Sequence, residues 1–341
     1  MNAYPRFTLS SRPEPHLRRH RALLAQRPEI RKLYGYDVRP VFVTLAVLAL
    51  QFAIAALLQR GAHLHRWWGS LWFSALLAYG VGAFANHWGG VVIHEASHNL
   101  CARTTLQNRW VALLANLSTP VPSAMSFRRY HMDHHRYMGV RGVDNDLAQA
   151  FEIRHLGRSA LRKALWVFLY PFFATLARGF LRKPSRWEVI GLAVQMSANL
   201  AVVALLGWTA MGYLLLSTLF AYGLHPIAGH FIHEHYSWRA GQETYSYYGV
   251  LNALTLNMGY HYEHHDFVRV PGSRLPELHR MLRDAYAPLE SHRSWAAILW
   301  HFIRTPALGH HSRIRRSPRT ARAGFAHRGG HWQTWKPEAV N

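Results

Sequence analysis

Long stretches without a charged side chain divide this sequence into blocks. Pro40 to Gln59 holds no Asp, Glu, Lys or Arg; at about 1.5 Å per residue these twenty positions predict a helix of roughly 30 Å, one bilayer crossing. Trp67 to His94 predicts a second such helix. Val189 to His233 is uncharged for 45 residues. That is roughly twice one crossing, so it predicts two helices folding back near Gly207-Trp208-Thr209. The pattern therefore predicts an all-α integral membrane protein with four transmembrane helices in two hairpins. Two shorter runs are expected at the membrane interface rather than across it. Ala164 to Ala177 is interrupted by Pro171, and Trp110 to Phe127 contains Asn116, Pro120 and Pro122. The first 39 residues are polar and basic, unlike a cleavable signal peptide.

Charge sets an orientation. Only 16% of the 341 residues are charged, and 39 Lys and Arg stand against 17 Asp and Glu, a net +22. If both termini share a side, 37 of the 39 basic residues lie there and only Arg60 and Arg66 lie opposite. The positive-inside rule makes the rich side cytoplasmic. Because the charge follows membrane topology, no nucleic-acid partner is needed to explain it. One cysteine, Cys101, excludes an internal disulfide framework and a four-cysteine zinc module. The expected organisation is a basic cytoplasmic segment (1–39), a membrane domain (40–303) and a basic tail (304–341). In the tail, Arg313, Arg315, Arg316, Arg319 and Arg322 suggest a disordered stretch on the membrane surface.

Histidine, at 25 residues, is far too abundant to be incidental. His94 and His98 lie four apart where the second span reaches the cytoplasm. His131, His134 and His135 form an H-x-x-H-H box, repeated by His261, His264 and His265. Offsets of three and four put the outer histidines of each group on one helical face. Neutral imidazole is a common ligand of iron, zinc and copper. Eight histidines on one side of the membrane are enough for two metal ions. His94-Glu95-x-x-His98 also reads as the H-E-x-x-H of zinc metalloproteases, with Glu95 as base. One catalytic zinc needs three protein ligands, however, and would leave both H-x-x-H-H boxes idle. A zinc transporter would place its polar residues at mid-membrane, within the spans. A nitrogen-rich set with little carboxylate suits a di-iron, oxygen-activating centre better. Nearby Glu95, Asp133, Glu263 and Asp266 are candidate partners that orient the imidazoles. A cytoplasmic cap is expected from the three boxes and a helical segment over about Leu275 to Ile303.

The series of boxes resembles the membrane fatty-acyl desaturase and hydroxylase superfamily. The words around them are similar to sphingolipid Δ4-desaturases, the dihydroceramide desaturases. Those words are residues 27–33 (RPEIRKL), 94–99 (HEASHN), 127–139 (FRRYHMDHHRYMG), 229–232 (GHFI), 234–236 (EHY), 243–249 (ETYSYYG) and 261–267 (HYEHHDF). The resemblance covers roughly residues 15–303. Tyr262 stands where the family box has Asn, Val268 where it has Pro, and Asn2 where animal members carry a myristoylated Gly.

The resemblance implies a di-iron enzyme using O2 and two electrons to place a trans double bond at C4–C5 of a ceramide's long-chain base. It implies a ninth ligand after the last span, His235 first and His230 second, with His233 incidental. Relatives with these boxes also include sphingolipid C4-hydroxylases and fatty-acyl desaturases. The spans are expected to enclose a dry slot for the acyl chain. His87, inside the second span, is expected to be a buried, hydrogen-bonded polar residue. No flavin or haem motif is present, so electrons are expected from a separate donor such as cytochrome b5 or a ferredoxin. The excess of Arg over Lys and the missing myristoylation site favour a bacterial inner membrane over the endoplasmic reticulum.

Overall fold

The structure is a computed structural model and describes residues 8–156, 158–172 and 183–318. Helix α1 (His16–Gln26) is short and polar. Helix α2 (Arg39–His63) carries Pro40 in its first turn, where a missing N–H leaves no bond unmade. Its buried positions Thr44, Val47, Gln51, Ala55 and Leu58 recur at three and four residues and form one stripe. The opposite face leaves Phe42, Leu45 and Leu57 exposed, a surface suited to lipid. Helix α3 (Leu71–Ser97) relaxes through one π turn at Ala78–Gly82. Gly82 allows Ser217 to approach, since a Cβ there would lie 2.1 Å from its hydroxyl.

Helix α4 (Thr105–Asn116) starts at a Thr104–Gln107 capping box and packs on α3, as does α5 (Ala124–Tyr137). Helix α6 (Ala160–Phe168) buries Lys163, whose ammonium donates to the carbonyls of Phe302, Thr305 and Leu308. Helix α7 (Arg186–Leu205) and α8 (Trp208–Tyr222) meet at Gly207, which has φ +93°. That turn is tied to α2, because Gln59 accepts from the Thr209 N–H at 2.9 Å. Helices α2, α3 and α7 are long and apolar enough to cross a membrane. Among the described residues a fourth crossing exists only if α8 and the segment Pro226–His233 count together, and these are bent by 46°. Gly223 and Pro226 break the helix there.

Polar residues inside the spans are paired with one another. Gln51 donates to Asn86 at 2.8 Å, Asn86 to Thr218 at 2.9 Å, and Tyr213 to Gln51 at 2.6 Å. Such bonds hold helices together where water cannot compete. His87, as expected, is buried and sits 3.3 Å from a nitrogen of His230. The two short apolar runs do not make spans among the described residues; 173–177 of the first lie outside them.

Beyond α9 (Gly229–His233) and α10 (His261–Asp266) the expected helical segment is broken. It comprises α11 (Leu275–Met281), a short turn of helix at Arg283–Tyr286, strand β3 (Ser291–His292) and α12 (Trp295–Arg304). The break comes from β3, which is drawn into a parallel pair with β2 (Ser246–Tyr247). The tail also departs from expectation. Strand β4 (Ile314–Arg316) pairs in parallel with β1 (Thr8–Ser10), and Arg313 and Arg316 are buried in ion pairs with Asp146 and Glu243. Carboxylates from distant segments, not a membrane surface, take these two arginines. Arg319 and Arg322 lie outside the described residues.

Candidate metal centre

Three helix segments deliver the boxes to one place. His94 lies on the last turn of α3 with His98 as its C-cap. Arg128 draws α5 onto that end by donating to the carbonyls of Ala96 and Ser97 at 2.6 and 2.8 Å. Helix α10 brings the third box against both, with His264 Nε2 3.2 Å from His135 Nε2.

The boxes are then redistributed. His94, His98, His131, His135 and His264 form one set whose ligand atoms lie within 4.8 Å of one another, and His134, His235 and His265 form another. Residues four apart share a helical face, so His131 and His135 go together. His134 is turned about 100° from His135 and faces the other set. The same turn separates His264 from His265. His261 lies beside the second set, its Nε2 2.8 Å from that of His235. His235 Nε2 is also 3.0 Å from His134 Nε2. His230 belongs to neither set. It sits with His87, and its Nδ1 donates to the Ile227 carbonyl at 2.9 Å. His233 accepts from the Trp295 indole at 3.1 Å.

The donor set fits metal. His98, His131, His135 and His264 present Nε2 atoms to one another at 2.8 to 3.2 Å. Two nitrogens each about 2.1 Å from one ion, at a right angle, lie about 3 Å apart. Both ring nitrogens of His94 and Nε2 of His265 are buried without a hydrogen-bond partner. Buried polar atoms of this kind are costly unless something binds them. Burial, together with the neighbouring imidazoles, pushes the pKa of His98, His131, His135, His261, His264 and His265 well below the usual value. These residues stay in the neutral, metal-binding form. His134 differs. Burial opposes its charge, but Asp144 and Asp146 outweigh that and raise its pKa. The same carboxylates favour any cation in the second set.

Glu95, Asp133, Glu263 and Asp266 take different places around the cluster. Glu95 lies 3.8 Å from His94 Nδ1 and accepts from the Gly272 N–H at 2.9 Å. Asp133 is half-buried on α5. Glu263 accepts from Ser246, Tyr248 and His279. Asp266 takes His16, Arg19 and Tyr286. Both bind α10 to its surroundings. The partners missed in the sequence come from elsewhere. Asp144 accepts from His134 Nδ1 at 2.9 Å, and the Glu243 carbonyl from His235 Nδ1 at 3.1 Å. Glu234 stands 3.5 Å from His261 Nδ1. One signal existed for Asp144, since Asp144 and Asp146 are an acidic pair in an otherwise basic tract. Asp146 is held well below the usual carboxylate range: its burial is outweighed by Arg313 and His134.

A cavity of about 240 Å³ opens onto both sets, reaching His94, His131, His134, His235 and His261. Val91, Ile93, Phe127, Phe231 and Met258 give it apolar walls. It leads from the histidines between α3 and the bent α8–α9 pair.

Comparison with known proteins adds two matches to family models. Residues 66–297 match the one described as fatty acid desaturase, and residues 6–39 the one described as sphingolipid Delta4-desaturase. Among curated relatives, a sphingolipid delta(4)-desaturase DES1-like of Oryza sativa subsp. japonica is 40% identical over 313 residues, 91% of this chain and 92% of its own. The DES1 of Drosophila melanogaster, named sphingolipid delta(4)-desaturase, is 40% identical over 310 residues, 90% and 94% of the two chains. The sphingolipid delta(4)-desaturase/C4-monooxygenase DES2 of Homo sapiens is 41% identical over 318 residues, 92% and 95%.

Proposed function

The chain belongs to the fatty acid desaturase family, and from that premise we propose that it is a sphingolipid Δ4-desaturase. It is an oxidoreductase that takes two hydrogens from C4 and C5 of the long-chain base of dihydroceramide and leaves a trans double bond. The observation that carries this reading is the identity of about 40% over nine tenths of the chain to relatives of that name. An apolar cavity that reaches five of the nine clustered histidines supports it.

We assign two irons to those histidines. His94, His98, His131, His135 and His264 hold one; His134, His235, His261 and His265 hold the other. Bound there, iron supplies the activation of O2 that an unactivated methylene pair requires. The protein does the rest. Asp144 and the Glu243 carbonyl take the Nδ1 hydrogens of His134 and His235, leaving their Nε2 lone pairs for metal. The walls of the cavity hold the chain and keep water from the site. The electron donor is a separate protein, cytochrome b5 or a ferredoxin, met on a basic face that suits an acidic partner.

In the membrane, we propose two helical hairpins over residues 40–303, with the boxes and both termini on the cytoplasmic side. The described residues of the basic segment 1–39 and of the tail from 304 belong to that side. The low Lys content favours a bacterial inner membrane. A second reading, C4 hydroxylation, is favoured by the double name of the human relative. The metalloprotease reading is weakened because Glu95 is committed to the Gly272 N–H and three further histidines join its pair.

A host lacking the activity, given this gene and dihydroceramide, tests the proposal by mass spectrometry. Ceramide two mass units lighter is expected. A product sixteen heavier means hydroxylation instead. Unchanged dihydroceramide beside new unsaturation in phospholipid acyl chains would overturn the substrate.

A further inference from the structure

Segments near both ends of the chain, residues 8–10 and 314–316, meet beside the second histidine set. Strands β1 and β4 pair with Ser10 opposite Arg316. From there Arg316 reaches inward. Its guanidinium binds both carboxylate oxygens of Glu243, one at 2.7 Å, and donates to the carbonyls of Arg12 and Met138 at 3.0 and 3.1 Å. The carbonyl of the same Glu243 accepts from His235. The Arg316 backbone N–H donates to Gly139 at 2.8 Å. Gly139 in turn donates to Asp144 at 2.7 Å, and Asp144 holds His134. Here only glycine fits, because φ is +82° and a Cβ would lie 2.7 Å from the Ile314 carbonyl.

The other terminus acts one residue along. His16 bonds Asp266 at 2.7 Å and Thr244 at 2.8 Å, so residues 243 and 244 are gripped from both ends of the chain. Its ring lies 5.0 Å from that of His265. His265 is thus backed by a terminal residue, His235 by a group that touches one, and His134 more remotely, through Asp144 and Gly139. The first set is framed differently. His94 and His98 end a span, and Arg128 ties α5 to that end.

We propose that the paired termini are a clasp that positions the second histidine set, so that filling of the second metal site depends on Arg316 and His16. The inference rests on the two-metal reading above. Arg316 and His16 are positioning residues. Each orders the partners that aim imidazoles, and loss of such partners weakens metal binding about 10- to 100-fold.

The test is the iron-to-chain ratio of the full-length protein, purified after growth in iron-rich medium. Electron paramagnetic resonance then separates isolated ferric ions from coupled pairs. About two irons are expected for the unaltered chain and about one, as an isolated ion, for Arg316→Ala and His16→Ala. Arg316→Lys should retain more iron than Arg316→Ala, and a chain ending at residue 318 should keep both. Where Arg316→Ala does not fold, His16→Gln carries the test. Folded variants that keep two irons, or lose both together, overturn the clasp. An unaltered chain that holds no iron overturns the metal assignment itself, a different result.

Discussion

His134 and His235 send their Nδ1 hydrogens outward, to Asp144 and to the Glu243 carbonyl, and so direct two Nε2 lone pairs at each other across 3.0 Å. A cation between them relieves that opposition. Asp144→Ala is therefore expected to lower iron affinity and turnover about 10- to 100-fold, read by iron titration beside an activity assay. His135→Ala and His265→Ala should each abolish activity. Under a single-zinc reading only the first box and one distant ligand would matter, and Glu95→Gln would be lethal to the enzyme. At this scale the eight box histidines were legible because their spacing is the signal. Their carboxylate partners were less so. Glu263 sits within the third box and Asp266 directly after it, but a helix turns neighbours to other faces, and both serve the packing of α10. Asp144, ten residues past His134, carries no spacing that would mark it.

The elements explain why two boxes of identical spelling feed two sets. A helix gives His131 and His135 one face and His134 another, so each H-x-x-H-H box spans both sites. Short elements must then be held firmly. Helix α9, just before His235, packs on α12 so closely that a Cβ at Gly229 would lie 2.4 Å from the Trp295 carbonyl. Gly229→Ala should cost about 1–3 kcal/mol by overpacking. A lowered melting temperature in detergent, with less iron bound, is the expected outcome. The three long spans were legible as uncharged runs. The bend at Gly223 and Pro226 was not, because hydropathy counts both halves as one apolar stretch. Nor was β3, whose two residues are extended only by pairing with β2.

Across the whole molecule, 37 of 39 basic residues fall on one side of the proposed topology. An engineered cysteine near Gly207 should react with an impermeant reagent from outside, and one near His131 should not. Cys101 is a quiet background, since it is buried and burial pushes its thiol pKa up. Labelling at His131 from outside would overturn the proposed orientation of the boxes. The closure of the two termini was invisible in the sequence. Arg316 and Glu243 are far apart along the chain, and a basic tail reads the same whether its arginines face lipid or a buried carboxylate.

The most direct test follows the hydrogens. Dihydroceramide carrying deuterium only at C4 and C5 should yield an alkene that has lost one deuterium from each carbon. Retention of both labels in a product unsaturated elsewhere would contradict the account.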